Sequence, residues 1–180
     1  MAKDRGAWIQ TYTGRQFHYA DPRVAEIHIE DIAHALSMLC RYAGHCNRFY
    51  SVAEHSVLVS RQFNSPMDRM IGLLHDATEA YCVDVPRPLK HMLPEYQEYE
   101  DKVWQVIAFK FGMPAVLPKS LHDMDTRVLL TERPQLFNNP VPWPKYDRIQ
   151  LVPNLQVRGL EPYRARDEFL DEFAAIQRVI

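Results

Sequence analysis

His75, Asp76 and Glu79 stand within IGLLHDATEAY (71–81), three ionisable groups in an otherwise apolar run. An imidazole and two carboxylates are ligand and proton-transfer groups suited to a divalent metal such as Mn, Co, Fe, Zn or Mg. If the stretch is one helix, Glu79 follows His75 at i+4 and Asp76 at i+3, which turns it to their side. Two ligands from one helix are too few for a metal ion. His55, early in a preceding helix, is a natural third, and LHDMDTRVLLTE (121–132) offers Asp123 and Asp125 as a fourth. The competing reading is a solvated helix face, where His and Asp are common. The chain holds two His-Asp pairs, His75-Asp76 and His122-Asp123, so one of them can be an ordinary surface pair.

The elements that must position these groups read as mostly helical. Apolar residues at helical spacing (Ile29, Ile32, Ala33, Leu36, Leu39, Cys40) predict a helix over 29–42, with Gly44 as its stop. Ser51 and Glu54 form the S-x-x-E pattern of a capping box, which starts a second helix and places His55 in its first turn. Ser65-Pro66 starts a third, running through Leu73 and Leu74 toward Tyr81. VDVPRPLKHMLP (83–94) is a proline-punctuated connector. Further helices are expected over 95–111, stopping at Gly112, over 119–133, stopping before Pro134, and over 163–179. WIQTYTGRQFHYA (8–20) reads as a β-hairpin turning at Thr13-Gly14, and 138–154 as a loop stiffened by prolines. The chain is thus expected to be one all-α domain over 1–180. A hairpin extension occupies 1–28, a metal-binding core 29–133, and a proline-rich loop with a last helix 134–180.

Composition narrows the function classes. With 180 residues, 47% hydrophobic and 24% charged, one globular core is expected. A net charge of −2 gives no overall attraction to nucleic acid polymers or acidic membranes, so phosphate binding would need a local basic cluster. Arg87 and Lys90 in VPRPLK are candidates, with a solvated charged connector as the plainer alternative. There is no GxxxxGK[ST] loop, which excludes a P-loop nucleotidase. Three cysteines without a CxxC pair argue against a disulfide framework or zinc knuckle, and Cys40 and Cys46 read as packed thiols. The start carries no long apolar segment and no run is long enough to span a bilayer, so a cytoplasmic protein is expected. His34 and His45 read as ordinary hydrogen-bonding histidines. An aromatic wall for a base is available in Tyr42, Trp8 and Trp143.

The ordered blocks SVAEHS, LLHDATEA, VDVPRPLK and MDTRVLLTE resemble the HD-domain phosphohydrolases over roughly 29–133. The wording is most similar to the branch of YfbR-like 5′-deoxynucleotidases and DatZ-like dATP triphosphohydrolases. The resemblance implies an HD-domain helical bundle around one divalent metal, held by His55, His75, Asp76 and Asp125. It implies that Glu79 lies beside the attacking water, that Asp84 is a second acidic residue of the site, and that Lys90 faces the phosphate. LCRYAGH (39–45) is similar to the family's Arg-Trp nucleotide-holding pair, which would be Arg41-Tyr42 here, with tyrosine for tryptophan and a one-residue offset to His55. The hairpin extension and the proline-rich loop depart from the pattern. The family further implies homo-oligomers, with hairpin and loop as candidate interfaces.

The expected activity is therefore metal-dependent hydrolysis of a small-molecule deoxynucleotide. Either the 5′-phosphate of a dNMP or the whole triphosphate of a dNTP such as dATP is removed. Two alternatives stand beside it: a cyclic or signalling nucleotide phosphodiesterase, and a non-catalytic regulatory module with the metal as a clamp.

Overall fold

The computed structural model describes residues 5–180. It is mostly helical, with one small antiparallel hairpin at the N-terminal side. The first four residues of the expected 1–28 extension lie outside the described residues. Strands β1 (Trp8–Gln10) and β2 (Gln16–His18) pair with Trp8 opposite His18 and Ile9 opposite Phe17. Phe17 on β2 is buried and stacks on Tyr81, whereas all of β1 is exposed. The hairpin is therefore anchored through one strand.

Helix α1 (Ile29–Met38) is followed by α2 (Val52–Ser60), α3 (Pro66–Leu74), α4 (Glu79–Cys82), α5 (Arg87–Lys90), α6 (Pro94–Phe111), α7 (Lys119–Leu136) and α8 (Pro162–Gln177). Helix α2 lies against α3, α7 and α8, and α1 lies against α8 and α4. The main core, including Ile32, Leu36, Val57, Leu73, Leu74, Ile107 and Phe169, fills the space between them. Val103 and Ile107 of α6 are buried in it. No helix among the described residues is long and apolar enough to cross a membrane.

Three expected boundaries move, each for a local reason. Helix α1 ends at Met38 instead of continuing to residue 42. The next residues leave the helix to pair with the segment before α2: Val52 donates to the Leu39 carbonyl at 3.0 Å and Arg41 to that of Tyr50 at 2.9 Å. The 65–81 helix breaks after Leu74. His75 Nδ1 donates to the Gly72 carbonyl at 2.8 Å, the group that the Asp76 N–H would use in a continuing helix. Beyond it the bonds tighten to i→i−3, from Ala77 to Leu74 and from Glu79 to Asp76. Helix α7 runs past Pro134 to Leu136. Proline removes one helical bond there, at a cost of about 3 kcal/mol. Burial of Leu136 against Tyr50 and Val157 favours continuation, as does the Gln135 amide, which donates to the Leu155 carbonyl and accepts from the Val157 N–H. The last helix and the Gly112 stop, in a left-handed conformation, lie where expected.

Candidate metal centre

Four side chains from three segments converge on one point. His55 stands in the first turn of α2, because the Ser51 hydroxyl caps that helix by accepting from the Glu54 N–H at 3.1 Å. His75 and Asp76 sit at the break after α3, and Asp125 in the second turn of α7. His55 Nε2 lies 3.1 Å from Asp125 Oδ1 and 3.8 Å from Asp76 Oδ2. His75 Nε2 lies 3.1 Å from Asp76 Oδ2 and 4.0 Å from Asp125 Oδ1. Asp123, the rival carboxylate, is exposed, since two residues along a helix turn it away from Asp125.

His55, His75 and Asp76 form a buried group able to hold a metal ion. The test of fit is the ring nitrogens. Among the described residues both Nε2 atoms are buried without an aligned hydrogen-bond partner. Both Nδ1 atoms are committed, His55 to Glu132 Oε1 at 2.7 Å and His75 to the Gly72 carbonyl. That fixes each ring with its Nε2 toward the common point, the orientation a metal-ligating histidine requires. Asp125 offers a second carboxylate at the same point.

The electrostatics follow from crowding. Burial and the Arg41 guanidinium pull the His55 imidazole down. Glu132 and Asp125 outweigh them and push it up to about 9. Burial raises Asp76 and Asp125, but the two histidines, with Arg41 at Asp76, hold both far below the usual carboxylate range. Glu79 goes the other way. Burial and the neighbouring charges of Asp76 and Asp84 hold it well above an ordinary glutamate. Asp84 is also raised, chiefly by burial.

Glu79 and Asp84 both line a cavity of about 1020 Å³ that opens at Asp76 and Asp125. Asp84 is aimed there by Val83, whose φ of 62° and ψ of 159° are strained for a β-branched residue. Arg87 and Lys90 line the same cavity, yet neither charge is uncommitted. Arg87 donates to Asp125 Oδ2 at 3.2 Å, and Lys90 to Glu100 Oε1 at 2.7 Å. Arg41 is buried, with Nη1 3.5 Å from Asp76 Oδ2. Tyr42, in the left-handed region at φ 58°, lies beside it. Trp8 does not reach the cavity, whereas Tyr42 and Trp143 line it.

Glu132 carried no role in the sequence reading, although it ends the block MDTRVLLTE. It is fully buried and accepts from His55, from the Tyr42 hydroxyl at 3.0 Å and from the Tyr50 hydroxyl. The signal was its i+7 spacing from Asp125, which returns to the same helix face after two turns. Glu54 is corrected as well. Its carboxylate does not reach back to complete a capping box, but accepts from the backbone N–H groups of Arg158, Gly159 and Leu160. His34 stacks on Tyr12 at 3.8 Å, and exposed His45 lines the cavity. The Cys40 and Cys46 thiols touch at 3.6 Å as free cysteines.

No family model matches the chain. It is similar to the uncharacterized protein YfdR of Escherichia coli, with 39% identity over 168 residues, 93% of this chain and 94% of that one. It is also similar to an uncharacterized protein of Rhodobacter capsulatus, 38% identical over 121 residues, 62% of each chain. At that identity, over nearly the full length of both chains, the chain belongs to the family of YfdR.

Proposed function

We propose that this protein is an HD-type, metal-dependent phosphohydrolase of deoxynucleotides, with His55, His75, Asp76 and Asp125 as the ligands of one divalent cation. The observation that carries the reading is the pair of buried Nε2 atoms left without aligned partners and turned, with two carboxylates, on one point beside a large cavity. A divalent cation in such a site supplies Lewis-acid neutralisation of phosphate charge and activation of water.

The chain's own residues supply the rest. Glu79, which burial and its acidic neighbours make more basic than an ordinary glutamate, accepts the proton of the attacking water when ionised. The water oxygen bonds to phosphorus as the bond to the 5′ oxygen breaks. Asp84, on the same cavity wall, relays that proton from Glu79 to the leaving oxygen. Arg41, buried beside Asp76, and Arg87, beside Asp125, can each turn donors to phosphate oxygens. Lys90 contributes a weaker field because Glu100 neutralises much of it.

The test is product chromatography after incubating the Mn- or Co-loaded protein with all four dNMPs and dNTPs. Deoxynucleoside plus inorganic phosphate marks a 5′-deoxynucleotidase, and deoxynucleoside plus intact triphosphate marks a triphosphohydrolase. Glu79→Gln should keep the metal and lose turnover roughly 100-fold or more. Hydrolysis of cyclic phosphodiesters in preference to mononucleotides would replace the reading with a phosphodiesterase. A loaded protein that turns over neither class would replace it with a metal clamp.

A further inference from the structure

We propose that the proline-rich segment 138–150 builds a nucleobase-binding platform, with Trp143 as its stacking surface and Tyr146 and Phe137 as flanking walls. The inference rests on the phosphohydrolase reading for the phosphate end of the ligand and on the following geometry for the base end.

Helix α7 connects the two ends. Asp125 and Leu129, one turn apart, both line the cavity, and Arg133 follows one turn later. Eight residues of helix separate Asp125 from Arg133, a rise of about 12 Å. That is comparable with the reach of a nucleoside phosphate from phosphorus to the far edge of its base. Phe137, at the end of the helix, lines the cavity too and meets the Tyr42 ring edge-on at 5.2 Å.

At the far end the segment is fastened to α7 at several points. Arg133 Nη2 donates to the Val141 carbonyl at 2.7 Å, and Arg127 Nε to that of Gln150 at 2.9 Å. The Val152 N–H donates to Thr131 Oγ1 at 2.9 Å. Pro142 and Pro144 restrict the chain between the first two points, and Pro140 restricts it just before them. The Arg133 guanidinium lies 3.5 Å from the centre of the Trp143 ring, covering one face of the indole. Trp143 nevertheless lines the cavity and stays 39% exposed, with Tyr146 tilted beside it at 5.8 Å. An indole locked from behind by a cation and open in front suits a flat aromatic ligand, because ordering it requires little further entropy. The phosphate chemistry explains Asp76, Asp84, Asp125 and Arg41, but has no use for three aromatic rings so far along the same cavity. A planar heterocycle does.

The experiment separates base from phosphate by using ligands that have only one. Isothermal titration of the full chain with 2′-deoxyadenosine and 2′-deoxycytidine reads the platform, and titration with Mn²⁺ and inorganic phosphate reads the centre. In Trp143→Leu, nucleoside affinity should fall on the order of tenfold or more, while Mn²⁺ and phosphate binding stay unchanged. Trp143→Phe should recover most of the loss. A wild-type chain that binds neither nucleoside, or a folded Trp143→Leu that binds them as well as wild type, overturns the platform. Either result leaves the hydrolase reading standing if turnover is seen. Conversely, nucleoside binding that depends on Trp143 survives even if no substrate is hydrolysed.

Discussion

Glu132 does for His55 what the Gly72 carbonyl does for His75: it accepts the Nδ1–H hydrogen bond, which turns Nε2 to the common point. The two supports differ in charge, and that difference is testable. A carboxylate behind a histidine raises its basicity, and losing such a partner typically weakens metal affinity 10- to 100-fold. Glu132→Gln keeps an acceptor for the ring but removes the charge. We expect Mn²⁺ affinity by calorimetry to fall by roughly that factor, and an unchanged constant would remove Glu132 from the centre. The same carboxylate sets a pH dependence. Glu132 and Asp125 hold the His55 imidazole up at about 9, so below that pH the proton on His55 must leave before Nε2 can bind a cation. Apparent affinity should therefore rise about tenfold per pH unit between roughly pH 6 and 8, with at least one proton released per ion. An affinity flat across that window would show that His55 is already neutral. The side-chain types of the candidate centre were readable from the sequence because His-Asp and the capped His55 are local patterns. Glu132 was not, since its meaning depends on which helix face α7 turns toward α2.

The break after α3 shows why elements were harder to read than residues. The apolar periodicity of 65–81 fits one continuous helix, yet a side chain competes for the backbone carbonyl at Gly72 and the chain tightens. In an i→i−3 turn, residues three apart nearly eclipse, so Asp76 and Glu79 come closer in direction than in an α-helix. Gly72 has a second duty that no periodicity reveals. A Cβ there would lie 3.0 Å from the Ser60 Cα and 3.2 Å from its N, both backbone atoms of α2. Gly72→Ala forces apart the helices that carry His55 and His75. Overpacking outweighs the alanine's helical preference, and we expect a loss of about 1–2 kcal/mol in urea unfolding. Val83 runs opposite. Its φ of 62° is held by the N–H bond to Glu79 and by the Tyr96 hydroxyl on its carbonyl, while its side chain is exposed. Glycine relieves that strain, so Val83→Gly should raise stability by about 1 kcal/mol. A destabilised variant would mean the side chain contributes more than its exposure suggests.

Across the whole molecule the centre ties together segments that the chain keeps far apart. The four side chains proposed as its ligands come from α2, the turn after α3, and α7, and α2 is in turn bound to the approach to α8 through the three N–H groups held by Glu54. Hairpin and helical content were legible because they rest on local spacing. The convergence was expected from the order of the four blocks and their resemblance, not from local spacing, because it depends on how α7 crosses α2. Convergence has a thermodynamic consequence. An unfolded chain cannot present His55, His75, Asp76 and Asp125 together, so a cation held by the proposed ligands would bind the folded state alone and stabilise it by mass action. Mn²⁺ at one hundred times its dissociation constant should add about 2.7 kcal/mol to the unfolding free energy, and a chelator should remove it. The control is built into α7. Asp123→Asn alters an exposed carboxylate two residues from the centre and should leave the stabilisation intact, whereas Asp125→Asn should abolish most of it at the same Mn²⁺ concentration. Equal responses from the two variants would mean that the ion binds by general surface charge, and the centre formed by α2, α3 and α7 would lose its claim to the metal.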